Sequence, residues 1–511
     1  MATTARPRGR TKRPKRGRTR RGRSVRLPAR RTIVHITAEY GTFARTGGLA
    51  EAVAGLATFQ ARVGAKVVVF LPLYPSVREV APDLEPVAPP QRVAVGECVE
   101  KVRFFREAGR AESPHVIFVD APRYFERAGL YGEQGADYPD NHLRFALLSR
   151  AALAGVSQLV SGPVLLHGHD WHAALVPVYL RADEGVASRF GPTPTVLSVH
   201  NAGYQGHFAH SALTALGLPH ELWSLDHLEW YDRVNVLKGG LSFCDVAVTV
   251  SPTHARELCT PEGGFGLHDT FRQLGARLVG ICNGIDQGVW DTASDPLIAA
   301  NYSRRDLSGK AACKDALQSG FGFARRADVP LIGMSARLVR QKGFDIVLRS
   351  ERLRSLDAQF VFLGMGDADY RAALSALARE NPGRVAVEYG FTDLLEHRLM
   401  AGADIVLMPS QYEPCGLTQM HAQRYGAPVV GRRVGGIGDT VVDNATGFLF
   451  DEFDASALDR AIDRAVARFA NRRAWVATMR RAMARDFGWE HALKAYGEAY
   501  RAAASRVAAP A

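Results

Sequence analysis

The sequence contains few cysteines and no long hydrophobic run. Its six cysteines form no CxxC pair and are too sparse for a disulfide scaffold, so we expect free thiols in a reducing compartment. One of the longest apolar runs, VVVFLPLY, has the length of a β-strand, far short of the roughly 20 residues that cross a bilayer. These two absences predict a cytoplasmic protein without a membrane partner.

Acidic residues are absent from residues 1–31, although this segment holds 14 of the 64 Lys and Arg residues. The rest of the chain carries the other 50 against all 52 acidic residues, so its net charge is −2 rather than +12. The segment has too few apolar residues to fold and lacks the apolar core of a secretory signal. We predict a disordered basic arm, which either binds nucleic acid or another polyanion or, the interpretation we favour, is a solvated extension.

The chain does have the length and composition of a large globular protein. It comprises 511 residues, of which 47% are hydrophobic and 23% are charged. A single core rarely serves so long a chain, so two large domains are expected.

Buried strands alternate with helical segments from residue 32 onward. RTIVHIT predicts a strand, AEYGTFARTGG a glycine-rich loop, LAEAVAGLATFQARVG a helix that ends at Gly64, and AKVVVFLP the next strand. GPVLLHGHDWHAALVPVYL, TPTVLSVHN and CDVAVTVSPTHAREL continue the pattern, and Ser251 and Pro252 fit the N-cap and first position of a helix. This alternation predicts a parallel sheet covered by helices.

A second series of the same kind begins at DVPLIGMSARLVRQKGFDIVLRS. It continues through AQFVFLGMG, RVAVEYGF and ADIVLMPSQYEPCGLTQMHAQRYGAPVVG, and an amphipathic helix, FGWEHALKAYGEAYRAAAS, follows. We predict an α/β protein of two doubly wound, Rossmann-like domains that face each other across a cleft. The expected division is a basic arm at 1–31, an N-terminal domain at 32–285, a C-terminal domain at 286–484, and at 485–511 a helix and tail that pack back on the N-terminal domain.

The loop ARTGGLAE has the features of an anion site. Gly47 and Gly48 would let the backbone approach a phosphate at a helix start, and Arg45 adds a planar cationic side chain. A glycine turn with a solvated Arg45 explains the same residues equally well.

Two loops of the second series also combine charged and small residues. In SARLVRQKGFD, Arg337 and Lys342 would stabilise a departing diphosphate, although a solvated charge pair is the commoner explanation. In YEPCGLTQ, the helix after Gly416 would offer free N–H groups and the Thr418 hydroxyl to an anion, with Glu413 placed to bind sugar hydroxyls. The alternative for Glu413 is an acid favoured by the helix dipole alone.

The stretch LLHGHDWHAAL contains four residues that can bind metals, namely His167, His169, Asp170 and His172. Nothing obvious elsewhere in the sequence completes a dinuclear metal site. We therefore interpret the stretch as a sugar-binding loop with a structural Trp171 and expect no metal.

Taken together, the loops resemble those of bacterial glycogen synthases and plant starch synthases. The motifs are TGGLAE, YPDNHLRFALL, HGHDWHAAL, VHNAGYQG, SPTHARELCTPEGGFGL, CNGIDQGVWD, SARLVRQKGFD, PSQYEPCGLTQ and GGIGDTV, in the order that the family has them. The resemblance covers roughly residues 32–500. It implies the two-domain glycosyltransferase fold called GT-B and a retaining transfer of glucose, usually from ADP-glucose in bacteria, to the non-reducing end of an α-1,4-glucan, with no metal or other cofactor.

By this resemblance Glu413 would contact the donor glucose, Arg337 and Lys342 would hold the diphosphate, and His169 would lie beside the glucose. The resemblance assigns further residues to two regions. Those at the donor are Arg45, Gly47, Gly48, Asn283, Phe391, Cys415, Gly416, Leu417 and Thr418, and those along the glucan cleft are Asp140, Asn141, His200, Asn201, Tyr204 and Gln205.

Four positions depart from the family pattern, and all four are expected near the donor nucleotide. Arg45 replaces a Lys, Glu51 an Asp, Phe391 a Tyr that lies near the base, and His421 a Tyr. None removes a catalytic group. The alternatives that remain are the same fold acting on UDP-glucose or a small oligosaccharide, a non-catalytic glucan-binding relative, and a nucleic-acid-binding protein that relies on the arm.

Overall fold

A computed structural model describes residue 27 and residues 31–109, 113–390 and 392–508. Apart from residues 27 and 31, the predicted basic arm lies outside the described residues, as does Phe391.

The described chain alternates strands and helices. The strands are β1 (Thr32–Ile36), β2 (Val67–Pro72), β3 (Leu84–Pro86), β4 (Gln91–Val95), β5 (Cys98–Glu107), β6 (His115–Asp120), β7 (Gly132–Glu133), β8 (Ala136–Asp137), β9 (Val164–His169), β10 (Thr195–Val199), β11 (His207–Ala209), β12 (Glu229–Trp230), β13 (Arg233–Asn235), β14 (Val246–Thr249), β15 (Leu278–Gly280), β16 (Leu331–Ser335), β17 (Gln359–Leu363), β18 (Val385–Glu388), β19 (Ile405–Met408), β20 (Val429–Arg432) and β21 (Gly447–Phe450).

The α-helices lie between and after these strands. They are α1 (Gly48–Arg62), α2 (Pro75–Val80), α3 (Pro122–Phe125), α4 (Asn141–Leu159), α5 (Leu175–Ala182), α6 (Glu184–Phe190), α7 (Ala212–Ala215), α8 (Val236–Phe243), α9 (Pro252–Leu258), α10 (His268–Leu274), α11 (Ser308–Gly320), α12 (Phe344–Arg349), α13 (Arg352–Ser355), α14 (Ala368–Glu380), α15 (Asp393–Gly402), α16 (Thr418–Arg424), α17 (Gly435–Thr440), α18 (Ala455–Ala470), α19 (Arg472–Met483) and α20 (Trp489–Ala508).

The N-terminal sheet has the strand order β15-β14-β10-β9-β1-β2-β6-β5-β3, and β4 pairs with β5. Neighbours from β15 to β6 are parallel, whereas β3, β4 and β6 run antiparallel to β5. The chain leaves β1 toward β2 on one side and later returns to β9 on the other. This reversal of strand order opens a crevice at the carboxyl ends of β1 and β9, where ligands bind in doubly wound sheets.

The C-terminal sheet is parallel throughout, in the order β18-β17-β16-β19-β20-β21. Its order reverses between β16 and β19, so the loops that follow these two strands face each other. The first of these loops carries Arg337 and Lys342, and the second carries Glu413. The topology therefore brings these three predicted residues to the same end of one sheet.

Helix α20 packs on the N-terminal sheet, although it follows the C-terminal domain along the chain. Trp489, Leu493, Tyr496 and Tyr500 join a buried cluster with β1, β9, β10 and β14. The predicted return of the C-terminal helix is thus confirmed. Among the described residues, no helix is both long enough and apolar enough to cross a membrane.

Candidate active site

The backbone around Glu413 is held between the starts of two helices. Gly343 precedes α12 with a φ of +79°, and a Cβ there would lie 2.0 Å from the carbonyl oxygen of Pro409. On the other side, a Cβ on Gly435 would lie 1.9 Å from the carbonyl oxygen of Glu413, and the N–H of Gly436 donates to that oxygen at 3.1 Å. Glycine is required at both contacts because no side chain would fit.

The carboxylate of Glu413 is buried and paired. Lys342 Nζ donates to its Oε2 at 2.6 Å, and the Ser410 hydroxyl donates to the same oxygen at 2.9 Å. The other oxygen, Oε1, accepts no hydrogen bond from any described residue. One oxygen is therefore used to hold the side chain in place, and the second can accept a hydrogen bond from a ligand hydroxyl.

Arg337 lies two residues beyond β16 and is exposed. Its guanidinium group lies near the phenol of Tyr412, whose pKa is raised by burial and lowered to a smaller extent by Arg337. Tyr412 directly precedes Glu413, so the positive charge of Arg337 lies on the same side of the sheet as the Lys342–Glu413 pair.

Helix α16 begins just after Glu413. The backbone N–H groups of Leu417, Thr418 and Gln419 donate to no other described residue, as expected for the first turn of a helix. Gly416, with a φ of +70°, forms the turn into the helix. Cys415 is buried, and its thiol lies against the backbone of Asn283, which is also buried. The predicted donor residues 415–418 and Asn283 are thus neighbours.

Glu39 holds the glycine-rich loop of the N-terminal domain, a role that the sequence did not indicate. Its Oε2 accepts from the backbone N–H groups of Thr46 at 2.7 Å and Gly47 at 3.3 Å. Its Oε1 accepts from the Thr46 hydroxyl at 2.6 Å and the Tyr131 hydroxyl at 2.7 Å. Gly47 precedes α1 and Gly48 begins it, and a Cβ on either residue would meet nothing within 4 Å. The open space leaves room for a ligand to approach the backbone closely.

Arg45 of the glycine-rich loop and Glu51 of the first turn of α1 reach the C-terminal domain. Arg45 forms an exposed ion pair with Asp393 of α15 at 3.3 Å. Glu51 Oε1 lies 3.4 Å from His421 Nε2, and Glu396 Oε1 lies 3.7 Å from His421 Nδ1. Three of the four positions that depart from the family pattern therefore lie where the two domains meet.

His421 is buried between these two carboxylates and stacks on Trp290, with ring centroids 3.6 Å apart and ring planes 10° apart. Burial is the largest influence and lowers the pKa of His421, but Glu396 and Glu51 together raise it to about 9. Burial raises the pKa of Glu51, and His421 lowers it to below its usual value. The pair is consequently charged at neutral pH and links the two domains.

The predicted cleft residues near β10 have different surroundings. The Tyr412 ring contacts Phe265 of the N-terminal domain, with centroids 5.0 Å apart, and its hydroxyl lies beside Asn201. Tyr204 is exposed at the same place. Gln205 is buried: its Nε2 donates to the carbonyl oxygens of Ala202 and Phe265, and its Oε1 accepts from Asn235. Gln205 thus stabilises the loop after β10 by hydrogen bonds inside the protein.

Asp140 and Asn141 begin α4 and are held by arginines. Arg127 donates to both Asp140 oxygens at 2.6 Å, and Asp140 is only partly buried. Asn141 donates to the carbonyl oxygen of Tyr131 at 2.8 Å and accepts from Arg144 at 2.7 Å. Both side chains have fixed orientations as a result.

His169 lies inside the N-terminal domain with both ring nitrogens hydrogen-bonded to other histidines, His35 at 2.9 Å and His200 at 3.0 Å. His35, His167 and His169 have nitrogens close enough together to suggest a metal site. Every ring nitrogen of the three already has a protein partner, and His172 is not among them. Asp170, with a φ of +54°, instead accepts from the backbone N–H groups of His200 and Asn201 at 2.6 and 3.3 Å.

The sequence of this chain is similar to those of known glycosyltransferases. Residues 32–273 match the starch synthase catalytic domain, and residues 321–481 match glycosyl transferases group 1. The chain is 43% identical over 476 residues to a glycogen synthase from Anaeromyxobacter dehalogenans (strain 2CP-1), which covers 92% of this chain and 98% of the relative. It is 40% identical over 479 residues to glycogen synthase 2 from Geobacter sulfurreducens, with coverage of 92% and 99%.

Among solved structures, the catalytic domain of starch synthase IV from Arabidopsis thaliana bound to ADP and acarbose is similar, with a TM-score of 0.86 and 32% identity. The match covers 93% of this chain and 99% of that one. Sequence, fold and neighbouring site residues agree with one another: the chain belongs to the glycogen synthase and starch synthase family of glucosyltransferases with the GT-B fold.

Proposed function

We propose that this enzyme transfers glucose from ADP-glucose to the non-reducing end of an α-1,4-glucan, with retention of configuration at the anomeric carbon. The observation that carries the proposal is the pairing of Lys342 with Glu413, which lies between the ends of β16 and β19 where a doubly wound sheet binds its ligand. The binding of ADP and acarbose by the similar starch synthase supports the same donor and acceptor classes.

In this proposal the donor diphosphate lies between the two domains. Arg337 and Lys342 stabilise the negative charge that develops as the diphosphate leaves, and the free N–H groups of Leu417 and Thr418 contribute dipoles of the right sign. The loop at Gly47 approaches the phosphates from the N-terminal domain. Positioned charges can supply this stabilisation without a metal, and we propose that none is required.

The sugar is held by Glu413, whose Oε1 accepts from a hydroxyl of the donor glucose. Departure of the diphosphate creates an oxocarbenium-like centre, and the acceptor 4-hydroxyl attacks on the face that the diphosphate leaves. A leaving phosphate oxygen takes the acceptor proton. A double displacement would require a carboxylate on the opposite face of the sugar, and the sequence has no motif for one. We place this reaction in the cytoplasm.

The second candidate donor is UDP-glucose, because Arg45, Glu51 and His421, three departures from the family pattern, change the side chains where the two domains meet. The test is a transfer assay on glycogen primer with each nucleotide sugar in turn. We expect a higher kcat/KM with ADP-glucose. A preference for UDP-glucose would overturn the donor assignment, and no transfer from either sugar would favour a glucan-binding protein without catalytic activity.

A further inference from the structure

Four buried or half-buried histidines form one hydrogen-bonded chain inside the N-terminal domain. His200 Nε2 lies 3.0 Å from His169 Nδ1, and His169 Nε2 lies 2.9 Å from His35 Nδ1. His35 Nε2 in turn lies 2.8 Å from Oε1 of Gln60, whose side chain is completely buried in α1. This chain of hydrogen bonds therefore runs from the carboxyl end of β10 to the side-chain amide of Gln60.

The Gln60 amide also extends the hydrogen-bonded network to the C-terminal helix, α20. Gln60 Nε2 donates to the Tyr500 hydroxyl of α20 at 2.8 Å. That hydroxyl lies 2.9 Å from His167 Nδ1, and His167 Nε2 lies 2.7 Å from the Ser198 hydroxyl. Gln60 thus lies in the middle of the network, with histidines on both sides.

Burial keeps the imidazoles neutral. It lowers the pKa of His35 to about 4 and that of His200 to about 3, and it lowers the pKa values of His167 and His169 well below the usual value. A neutral imidazole has one N–H donor and one acceptor nitrogen. Each hydrogen bond in the chain consequently decides which nitrogen of the next ring carries the proton.

The direction of the chain follows from Gln60. Because its Oε1 can only accept, His35 must carry its proton on Nε2 and accept at Nδ1, so His169 and then His200 must donate from Nε2. On the other side the Tyr500 hydroxyl receives the amide N–H and donates to His167 Nδ1, which leaves the His167 proton on Nε2. The opposite amide orientation would place all four protons on Nδ1.

At the end of the chain, Nδ1 of His200 is left as an acceptor without a donor among the described residues. His200 is the one member that is not fully buried, and it precedes Asn201, whose side chain lies beside Tyr412 of the other domain. We propose that Gln60, supported by Tyr500, is a positioning residue whose buried amide holds the four imidazoles in the Nε2–H tautomer and makes His200 Nδ1 an acceptor for a sugar hydroxyl in the cleft. The role in sugar binding rests on the proposed function, whereas the tautomers do not.

The first test is spectroscopic and needs no substrate. Long-range ¹H–¹⁵N correlation spectra of the full-length, histidine-labelled protein report which ring nitrogen carries the proton, and His200→Asn identifies the His200 signals. We expect the Nε2–H form for His200 and, in Gln60→Met, a measurable Nδ1–H population. An Nδ1–H form in the unsubstituted protein, or an unchanged His200 signal in Gln60→Met, would overturn the proposal.

A matched control separates this effect from a general loss of stability. Gln318 is also a completely buried glutamine, but its amide bonds to Arg326 and Gln359 and to no histidine. Gln318→Met should leave the His200 signal and the transfer kinetics unchanged at a temperature where circular dichroism shows both variants to be folded. A shifted His200 signal in this control would mean that any buried cavity disturbs the network.

The second test asks whether Gln60 acts through His200. We expect Gln60→Met to lower kcat/KM for glucose transfer about tenfold, the effect of one hydrogen bond to the sugar. In the His200→Asn background the same substitution should cost nothing further. Additive losses would show that Gln60 acts by another route. A protein that shows the expected tautomers and no transfer would instead contradict the proposed function.

Discussion

At the residue scale, the two oxygens of the Glu413 carboxylate have different surroundings. One oxygen holds the side chain in place, and the other is available to a ligand. Oε2 accepts from Lys342 and Ser410, whereas Oε1 is left for the ligand. Arg337, by contrast, is exposed, and its side chain makes no hydrogen bond or ion pair within the described ranges. Substitutions at these residues should therefore affect stability and turnover in different proportions.

Glu413→Gln should lower kcat for glucose transfer about 10²-fold or more. The amide keeps the volume of the side chain, so the fold should survive, but the loss of the negative charge that pairs with Lys342 should lower the stability. Steady-state kinetics with ADP-glucose and glycogen measure the effect, and near-ultraviolet circular dichroism checks the fold. Glu380→Gln, at an exposed glutamate of α14, serves as the control and should be fully active. Turnover like that of the unsubstituted enzyme would remove Glu413 from the site.

Arg337→Ala should lower kcat/KM about 10²-fold and leave the melting temperature within about one degree. The side chain contributes charge near the departing diphosphate but little packing, because it is exposed. Parallel kinetics and thermal unfolding measure both quantities. A large drop in melting temperature with unchanged kinetics would contradict the assigned role.

At the scale of the elements, the sequence predicted most of the strands and helices of the two sheets. The predicted helix that ends at Gly64 corresponds to α1, and the Ser251 hydroxyl accepts from the His254 N–H at 2.9 Å at the start of α9, as its position suggested. The antiparallel extension β3–β5 and the small sheet β11-β13-β12 were missed. Local patterns reveal a strand more readily than the partner with which it pairs.

The loops of the site were predictable because glycine and charged residues occur together at strand ends. The distant residues that hold the site in place were not predictable. Glu39 contacts Tyr131 across 92 positions, and Gln60 contacts Tyr500 across 440. Neither residue has a local signature, since each is a common polar residue, Glu39 in the loop after β1 and Gln60 within α1. Such contacts become visible only when the topology has brought the segments together.

The close contact at the start of α12 gives a prediction at this scale. Gly343→Ala should destabilise the protein by more than about 1 kcal/mol and lower glucose transfer, because the Cβ would force the Pro409 carbonyl away and move the Glu413 loop. Gly383 is the matched control: its φ is +78° against +79° for Gly343, and a Cβ there would meet nothing within 4 Å. Gly383→Ala should show the cost of the backbone conformation alone, with unchanged kcat. Equal effects in both variants would mean that the contact with Pro409 is unimportant.

At the scale of the whole molecule, charged and aromatic contacts connect the two domains. Thr253 of α9 donates its N–H and hydroxyl to Asp439 of α17 at 2.9 and 2.7 Å, and Glu257 accepts from the Gly435 N–H at 2.9 Å. Glu51 of α1 and His421 of α16 form a further contact between the domains. Contacts of this kind hold the cleft in one arrangement and can be broken individually.

The His421 contact should make stability depend on pH in a defined direction. Because the pKa of His421 is raised to about 9, its stabilising effect is complete below the usual value of about 6.5 and is lost as the pH rises through 9. The lowered pKa of Glu51 means that its contribution is lost in acid. The difference in melting temperature between the unsubstituted protein and His421→Gln should therefore be largest near pH 6 and smallest near pH 10, where only the loss of the stacking on Trp290 remains. A difference that does not change with pH would contradict a charged His421.

Helix α20 should make a large contribution to the stability of the N-terminal domain. Trp489 is 1% exposed, and its ring lies so close to Gly55 that a Cβ there would be 2.6 Å away. Trp489→Ala should cost about 3–5 kcal/mol, measured as a lower midpoint of denaturant unfolding. Trp223→Ala, at a partly buried tryptophan, should cost less. Equal midpoints for the two variants would contradict the packing role of α20.

The return of α20 to the first sheet also has a consequence for biosynthesis. Until residue 489 and those after it have left the ribosome, the part of the β1, β9, β10 and β14 surface that α20 covers lacks this helix, even though every strand of that sheet has long been translated. The nascent chain must therefore expose apolar surface on the first sheet while the entire second domain is synthesised. Chaperones could bind this surface during that period.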